Sequence, residues 1–146
     1  MKNIVLLSDT HHRLDERFFP YFEKADEIWH AGDIGSLSVT DTLKTFAPIR
    51  VVYGNIDDNT TRKEFKVNLY FKCEKVNVIM THIGGYPGRY DKKIQPIIEQ
   101  ANVDLFICGH SHILKVIYDK KHKLLHMNPG AIGDFGIHKV KTILCF

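Results

Sequence analysis

The chain has 146 residues, enough for one domain with a real core, and its 44% hydrophobic and 25% charged content is ordinary for a globular protein. A formal charge of +3 with dispersed basic residues gives no strong nucleic-acid signal, although it leaves room for attraction of an anionic substrate. The densest basic group, Lys120, Lys121 and Lys123, is short and reads as a solvated turn. No apolar stretch has the length to span a membrane, and the run after Met1 is too short for a signal-peptide core. Cys73, Cys108 and Cys145 are odd in number and lack CxxC spacing. They argue against a disulfide framework or zinc knuckle and for a reducing, cytoplasmic setting. With no linker, repeat or low-complexity tract, a single domain over 1–146 is expected.

Ile4–Leu7 is a short continuous apolar run, the mark of a strand buried on both faces, and it ends in the polar run Ser8-Asp9-Thr10-His11. Leu14, Phe18, Tyr21, Phe22 and Ala25 follow helical spacing, with Pro20 inside as a kink or split, and the aromatics here are expected in the core. Residues 26–31 form a second strand running into Gly32-Asp33. A helix through Leu37 or Val39, Leu43 and Phe46 follows, capped by Ser36 or Ser38. Residues 49–53 form a third strand and run into Gly54-Asn55.

The second half reads as strands Val67–Phe71 and Val76–Met80 around a turn at Lys72–Lys75. A helix through Tyr90, Ile94, Ile97, Ile98 and Ala101 contains Pro96. Leu105–Cys108 is a buried strand ending at Gly109-His110-Ser111-His112, and strands are expected at Leu114–Tyr118, Leu124–Met127 and Val140–Cys145. Late hairpins after early strand-helix units point to a mixed, two-sheet α/β protein rather than a purely doubly wound one.

Asp9, His11, Asp33, Asn55, His82, His110 and His112 each follow an apolar run, in clusters about 22–28 residues apart. That spacing accommodates one strand, one return element and the next strand. Open α/β sheets hold ligands beyond the carboxyl ends of their strands, so these groups should collect at one edge. Asp-x-His and Gly-His-x-His each place two ligand types two residues apart, where turning backbone can aim both to one side. Asp-x-His alone arises easily by chance; the ordered set carries the signal. Taken singly, Asp9 and Asp33 read equally well as helix caps, Asn55 as a turn residue and His82 as a loop histidine. His30, His122, His126 and His138 match no motif and read as structural or surface residues. His12 reads as an exposed loop histidine, Gly84–Gly88 as a plain turn and Arg89 as a surface residue, each adjacent enough to the clusters to contact substrate.

With Asn128-Pro129-Gly130, the order Asp9-x-His11, Gly32-Asp33, Gly54-Asn55, His82, Gly109-His110-x-His112 resembles the calcineurin-like metallophosphoesterase superfamily. The resemblance covers most of the chain and is nearest to the superfamily's small bacterial and archaeal phosphodiesterase branch, which has a eukaryotic relative in a retromer subunit. It implies a four-layer α/β/β/α sandwich of two mixed sheets with two divalent transition-metal ions at one edge, manganese first and nickel, iron, cobalt or zinc as the others. Asp9, His11, Asp33 and His112 would hold one ion and Asp33, Asn55, His82 and His110 the other, with Asp33 shared. Asp33, Asn55 and His82 would be central to catalysis. The implied reaction is hydrolysis of a small phosphate ester, above all a diester, by a metal-bridging hydroxide. Many members carry Gly-Asn-His-Asp where this chain has Gly54-Asn55-Ile56-Asp57. Isoleucine cannot protonate a leaving group, which disfavours alkyl monoesters. The rival readings are a non-catalytic protein-binding scaffold on the same fold, and a phosphomonoesterase or nucleotide pyrophosphatase. Small size leaves substrate choice to short loops and leaves a homo-oligomer open.

Overall fold

The computed structural model describes all 146 residues. In chain order the elements are β1 (Ile4–Leu7), α1 (Phe19–Phe22), β2 (Glu27–His30), α2 (Leu37–Lys44), β3 (Ile49–Val51), α3 (Asn59–Glu64), β4 (Asn68–Cys73) and β5 (Val76–Thr81). They continue with β6 (Gly85–Tyr86), β7 (Arg89–Tyr90), α4 (Gln95–Gln100), β8 (Leu105–Ile107), β9 (Leu114–Asp119), β10 (Leu124–Pro129) and β11 (Leu144–Cys145).

Two mixed sheets result. One has the order β11-β1-β2-β3, the other β4-β5-β8-β10-β9. Strands β1, β2 and β3 are parallel and β11 antiparallel. In the second sheet β5, β8 and β10 are parallel, with β4 and β9 as antiparallel edges. Strands β1 and β8 are short, apolar and buried throughout, as continuous apolar runs require, whereas β3 buries only Val51 and β5 is buried from Val78 onward. Alternation along β1 sends Ile4 and Leu6 into an apolar cluster shared with Val78, Met80, Leu105 and Ile107 of the second sheet. Val5 and Leu7 point the other way, onto Phe22, Val39 and Leu43 of α1 and α2. The far face of the second sheet packs Ile79 and Phe106 against Ile98 of α4. Burying each such side chain contributes roughly 1.5–3 kcal/mol before chain entropy is subtracted. The hydrophobic layers thus hold the parallel strand ends side by side.

Local readings of the sequence needed correction where proline and burial competed with periodicity. The helix expected through Leu14–Ala25 is a 3-10 turn at Glu16–Phe18 and a single turn, α1. Pro20 begins α1 rather than kinking it, because the first turn has no use for its missing N–H. Phe22 is buried there, but Tyr21 is exposed rather than in the core. Pro96 likewise starts α4. Tyr90, expected in that helix, lies in the β6–β7 hairpin, where its buried hydroxyl donates to Asp119 Oδ2 at 2.6 Å. Only Leu144–Cys145 of the expected Val140–Cys145 strand pairs, with β1 of the first sheet. Ser36 caps α2 by position only; its hydroxyl pairs with that of Ser38. Helix α3 lacks apolar periodicity and was not expected. Asp58 starts it by accepting from Thr61 N at 2.9 Å. The edge strand β9 leaves Leu114, Val116, Ile117 and Tyr118 exposed.

Candidate metal centre

The loop after β1 carries Asp9 and His11, that after β2 Asp33, after β3 Asn55, after β5 His82 and after β8 His110 and His112. The loops are stitched within each sheet: Asp9 N donates to Gly32 O and His11 N to Asp33 O in the first, and Gly109 N to His82 O in the second. Asp9, Asp33 and His82 are buried, His11 and His112 half-buried, and Asn55 and His110 exposed. Five of these seven residues, Asp9, His11, Asp33, His110 and His112, have left-handed backbone, with φ from 46° to 69°. Asp and His tolerate that region better than bulky residues, yet each instance costs about 1–3 kcal/mol unless the surroundings fix it. Strained residues of this kind cluster at active sites and ligand clamps in proteins generally.

Glycine permits the closeness. At Gly32 (φ 99°) an added Cβ would stand 2.6 Å from His82 Nδ1, and at Gly54 one would stand 2.1 Å from Asp33 Oδ1.

The ligand-capable atoms fall into two groups, Asp9–His11–His112 and Asp33–His82–His110, each with its atoms within 4.8 Å of one another. His112 Nε2 lies 3.1 Å from Asp9 Oδ1, and His82 Nε2 lies 3.2 Å from Asp33 Oδ2. His11 Nε2 stands between the carboxylates, 3.8 Å from Asp9 Oδ1 and 3.5 Å from Asp33 Oδ2. Neither Asp9 nor Asp33 caps a helix. Asp9 Oδ2 accepts from Ser8 Oγ at 2.6 Å and His110 N at 3.2 Å, leaving Oδ1 toward the imidazoles. Asp33 Oδ1 accepts from Ile56 N at 3.1 Å.

His82 Nδ1–H donates to Ala31 O at 2.7 Å, so Nε2 carries the lone pair. Both His82 Nε2 and His11 Nε2 are buried without a hydrogen-bond partner. A buried orphan nitrogen is costly, and two of them aimed at carboxylates fit a cation held among them. Burial pushes the Asp9 carboxyl up, but the contacts with the His11 and His112 imidazoles and the Ser8 hydroxyl outweigh it and hold Asp9 well below the carboxylate range. Burial also opposes ionisation of Asp33, and the His82 contact and Ile56 N–H reverse it. Two carboxylates that stay charged beside imidazoles form an oxygen and nitrogen set suited to a divalent transition metal.

Asn55 sits on the rim of a cleft of about 480 Å³, with His82, Arg62 and Lys93 also in its wall. Its backbone oxygen accepts from Arg62 Nη2 at 3.1 Å. His12 is exposed, as expected.

The sequence reading assigned no role at the site to three contributors. Asp57 is buried and accepts from Ile34 N at 3.2 Å, Gly35 N at 2.8 Å and Gly54 N at 2.8 Å, pinning the Asp33 and Asn55 loops together. The run Gly54-Asn55-Ile56-Asp57 contained it, but nothing local says which loop it binds. Asp57→Ala should cost about 3 kcal/mol, because three buried donors lose a charged acceptor; urea unfolding of metal-free protein measures this. Asn128 Nδ2 donates to Gly109 O at 2.9 Å while its Oδ1 accepts from Gly130 N, bracing the His110–His112 loop. His138, read as structural or surface, has its Nδ1 3.1 Å from His112 Nδ1.

Of the two roles read for His30, structural or surface, the buried ring takes the structural one. Its Nδ1 accepts from Gly32 N, and its Nε2–H donates to Thr10 Oγ1, whose hydroxyl donates to Ile34 O. Burial depresses its pKa to about 4. The unfolded chain, with an ordinary histidine pKa, binds more protons between about 6.5 and 4. The stabilising contribution of neutral His30 is therefore complete above pH 6.5 and lost as pH falls toward 4. The loss is about 3 kcal/mol, flattening below that pH, and urea unfolding across that window reads it directly.

A carboxylate-imidazole cluster at the carboxyl edge of two facing mixed sheets defines a metallophosphoesterase-type centre. The chain belongs to the calcineurin-like phosphoesterase superfamily, whose domain model matches residues 1–146. It is 32% identical over 134 residues to a protein named probable metallophosphoesterase from Methanocaldococcus jannaschii, covering 88% of this chain and 67% of the relative. Among solved structures it is similar to an archaeal phosphodiesterase, with TM-score 0.73 and 22% identity over 97% of this chain and 90% of the other. Vps29 of Entamoeba histolytica complexed with zinc matches with TM-score 0.74 and 19% identity, over 96% and 80%. At such identities the structural matches establish the fold. The family implies divalent metal ions and a small-molecule phosphate substrate. No helix is long and apolar enough to cross a membrane.

Proposed function

We propose that this protein is a dinuclear metal-dependent phosphodiesterase acting on a small phosphate ester. The carrying observation is the pair of buried, unpartnered nitrogens, His11 Nε2 and His82 Nε2, aimed at the Asp9 and Asp33 carboxylates. Asp9, His11, Asp33 and His112 would hold one ion, and Asp33, Asn55, His82 and His110 the other, with Asp33 shared. When bound, the ions supply positive charge that neutralises phosphoryl oxygens and acidifies water.

The chain's own residues set the geometry. Ala31 O fixes the His82 ring, and Asp57 holds the Asn55 loop against the Asp33 loop. Arg62 and Lys93 in the cleft wall attract the anionic ester. Ile56 is exposed and donates only its backbone N–H. With no side-chain acid there, esters with good leaving groups are favoured, so aryl diesters should exceed alkyl monoesters.

Manganese is the first ion to test, then nickel, iron, cobalt and zinc. The setting is a cytoplasmic single domain over 1–146, consistent with three unpaired cysteines. Self-association would use the exposed apolar edge of β9, because two copies of an open edge strand pair antiparallel about a two-fold axis. Sedimentation of wild type against Val116→Lys tests this; a monomeric wild type refutes it.

The function test is metal analysis joined to an assay on a chromogenic aryl diester. Chelation should abolish turnover and manganese restore it. Stoichiometric metal uptake without turnover of any phosphate ester would favour the non-catalytic scaffold, and monoester turnover equal to diester turnover would favour the monoesterase.

A further inference from the structure

The loop after β10 brings residues that no motif flagged against the first ligand group. Gly133 N donates to Asp9 O at 3.0 Å, and Asp134 is paired with Lys141 at 2.6 Å, which also reaches Asp15 at 3.1 Å. The loop is thus tied to the body on both sides of its turn. Within it, His138 Nε2 lies 2.8 Å from Gly133 O, and His138 Nδ1 lies 3.1 Å from His112 Nδ1, with ring centroids 5.0 Å apart.

The tautomers follow from this chain of contacts. A carbonyl oxygen only accepts, so His138 Nε2 carries a hydrogen. In the neutral ring, His138 Nδ1 then holds a lone pair, and the hydrogen between the two Nδ1 atoms belongs to His112. That leaves His112 Nε2 with its lone pair facing Asp9 Oδ1 at 3.1 Å. Two lone pairs at that separation repel each other unless a cation lies between them, so the arrangement prepares Nε2 as a ligand. Ligating histidines commonly donate their other N–H to a fixed acceptor, usually a carboxylate, carbonyl or water; here the acceptor is a second imidazole. Gly136 makes the pairing possible: with φ 127°, an added Cβ would stand 2.1 Å from His112 Nδ1 and 3.0 Å from His138 Nδ1.

We propose that His138 is a positioning residue that fixes His112 in the Nδ1–H tautomer and aims its Nε2 at the metal shared with Asp9. This rests on the metal-binding reading above and goes beyond it by assigning a residue outside the seven.

Calorimetric titration of metal-free protein with manganese or zinc tests the proposal without using activity. His138→Phe keeps a ring but removes the acceptor, and should weaken metal affinity about 10–100-fold. His138→Asn, whose side-chain oxygen falls near the position of Nδ1, should recover most of that loss. Gly136→Ala should weaken affinity through steric pressure on His112. Nitrogen-proton NMR of the zinc-loaded wild type should show His112 as the Nδ1–H tautomer, with that signal lost in His138→Phe. If the wild type takes up no metal, the parent reading fails. If the wild type binds and His138→Phe binds equally, or if His112 carries its hydrogen on Nε2, only the positioning role is overturned. A purely structural role would lower the unfolding midpoint of the variants without changing affinity per folded molecule or showing rescue by asparagine.

Discussion

Asp33→Asn should abolish turnover of an aryl phosphodiester, lowering kcat/KM by at least about 10³-fold, or roughly 4 kcal/mol of barrier. The substitution nearly preserves shape, and its amide oxygen can still accept from Ile56 N, which donates to Asp33 Oδ1 at 3.1 Å in the native protein. What disappears is the charge on the oxygen that faces both His82 Nε2 at 3.2 Å and His11 Nε2 at 3.5 Å. That atom is the only carboxylate oxygen so close to a nitrogen of each ligand group, so losing its charge should weaken both ions together rather than one. The measurement is metal content by mass spectrometry beside steady-state kinetics, with far-UV dichroism to establish folding. A folded Asp33→Asn protein with two metals and near-native turnover would remove the shared-ligand role. Loss of one metal alone would assign Asp33 to a single ion.

Ile56→His should raise the rate on an alkyl phosphomonoester by about 10²-fold, at the lower end of what a positioned general acid contributes. Ile56 is exposed on the loop that carries Asn55, and its backbone is already fixed by the bond to Asp33. A side-chain change there adds a proton donor at the rim without rebuilding the loop. Aryl diesters leave as stabilised anions and should gain little, so the ratio of the two rates is the informative quantity. An unchanged ratio with intact metal content would show that leaving-group protonation is not what separates these substrates in this protein.

The two substitutions probe different kinds of sequence information. Asp33, like the other six candidate ligands, was visible because apolar runs ending in polar, glycine-marked clusters recur along the chain. A parallel sheet must align such ends, so the pattern carried its own geometry. Ile56 was legible only as a departure from a motif. The roles of Asp57 and His138 were not legible. Each has a partner more than 20 residues away, Ile34 for one and His112 for the other, and no local pattern encodes which distant loop a side chain will meet. The misread helices have a different cause. Helical spacing around Pro20 and Pro96 was real, but a proline lacks the N–H that a helix interior needs, so each helix begins at its proline and is shorter than the apolar pattern around it.

By itself the sequence determined the buried strands, the mixed two-sheet class and the supply of carboxylate and imidazole groups at strand ends, because hydrophobic period and turn chemistry are local properties. Only the tertiary structure decided which nitrogens face which oxygens, which lone pairs are left unpartnered, and which loops brace them. Those depend on sheet order and on loops crossing between sheets, where a shift of about one ångström changes a ligand into a bystander.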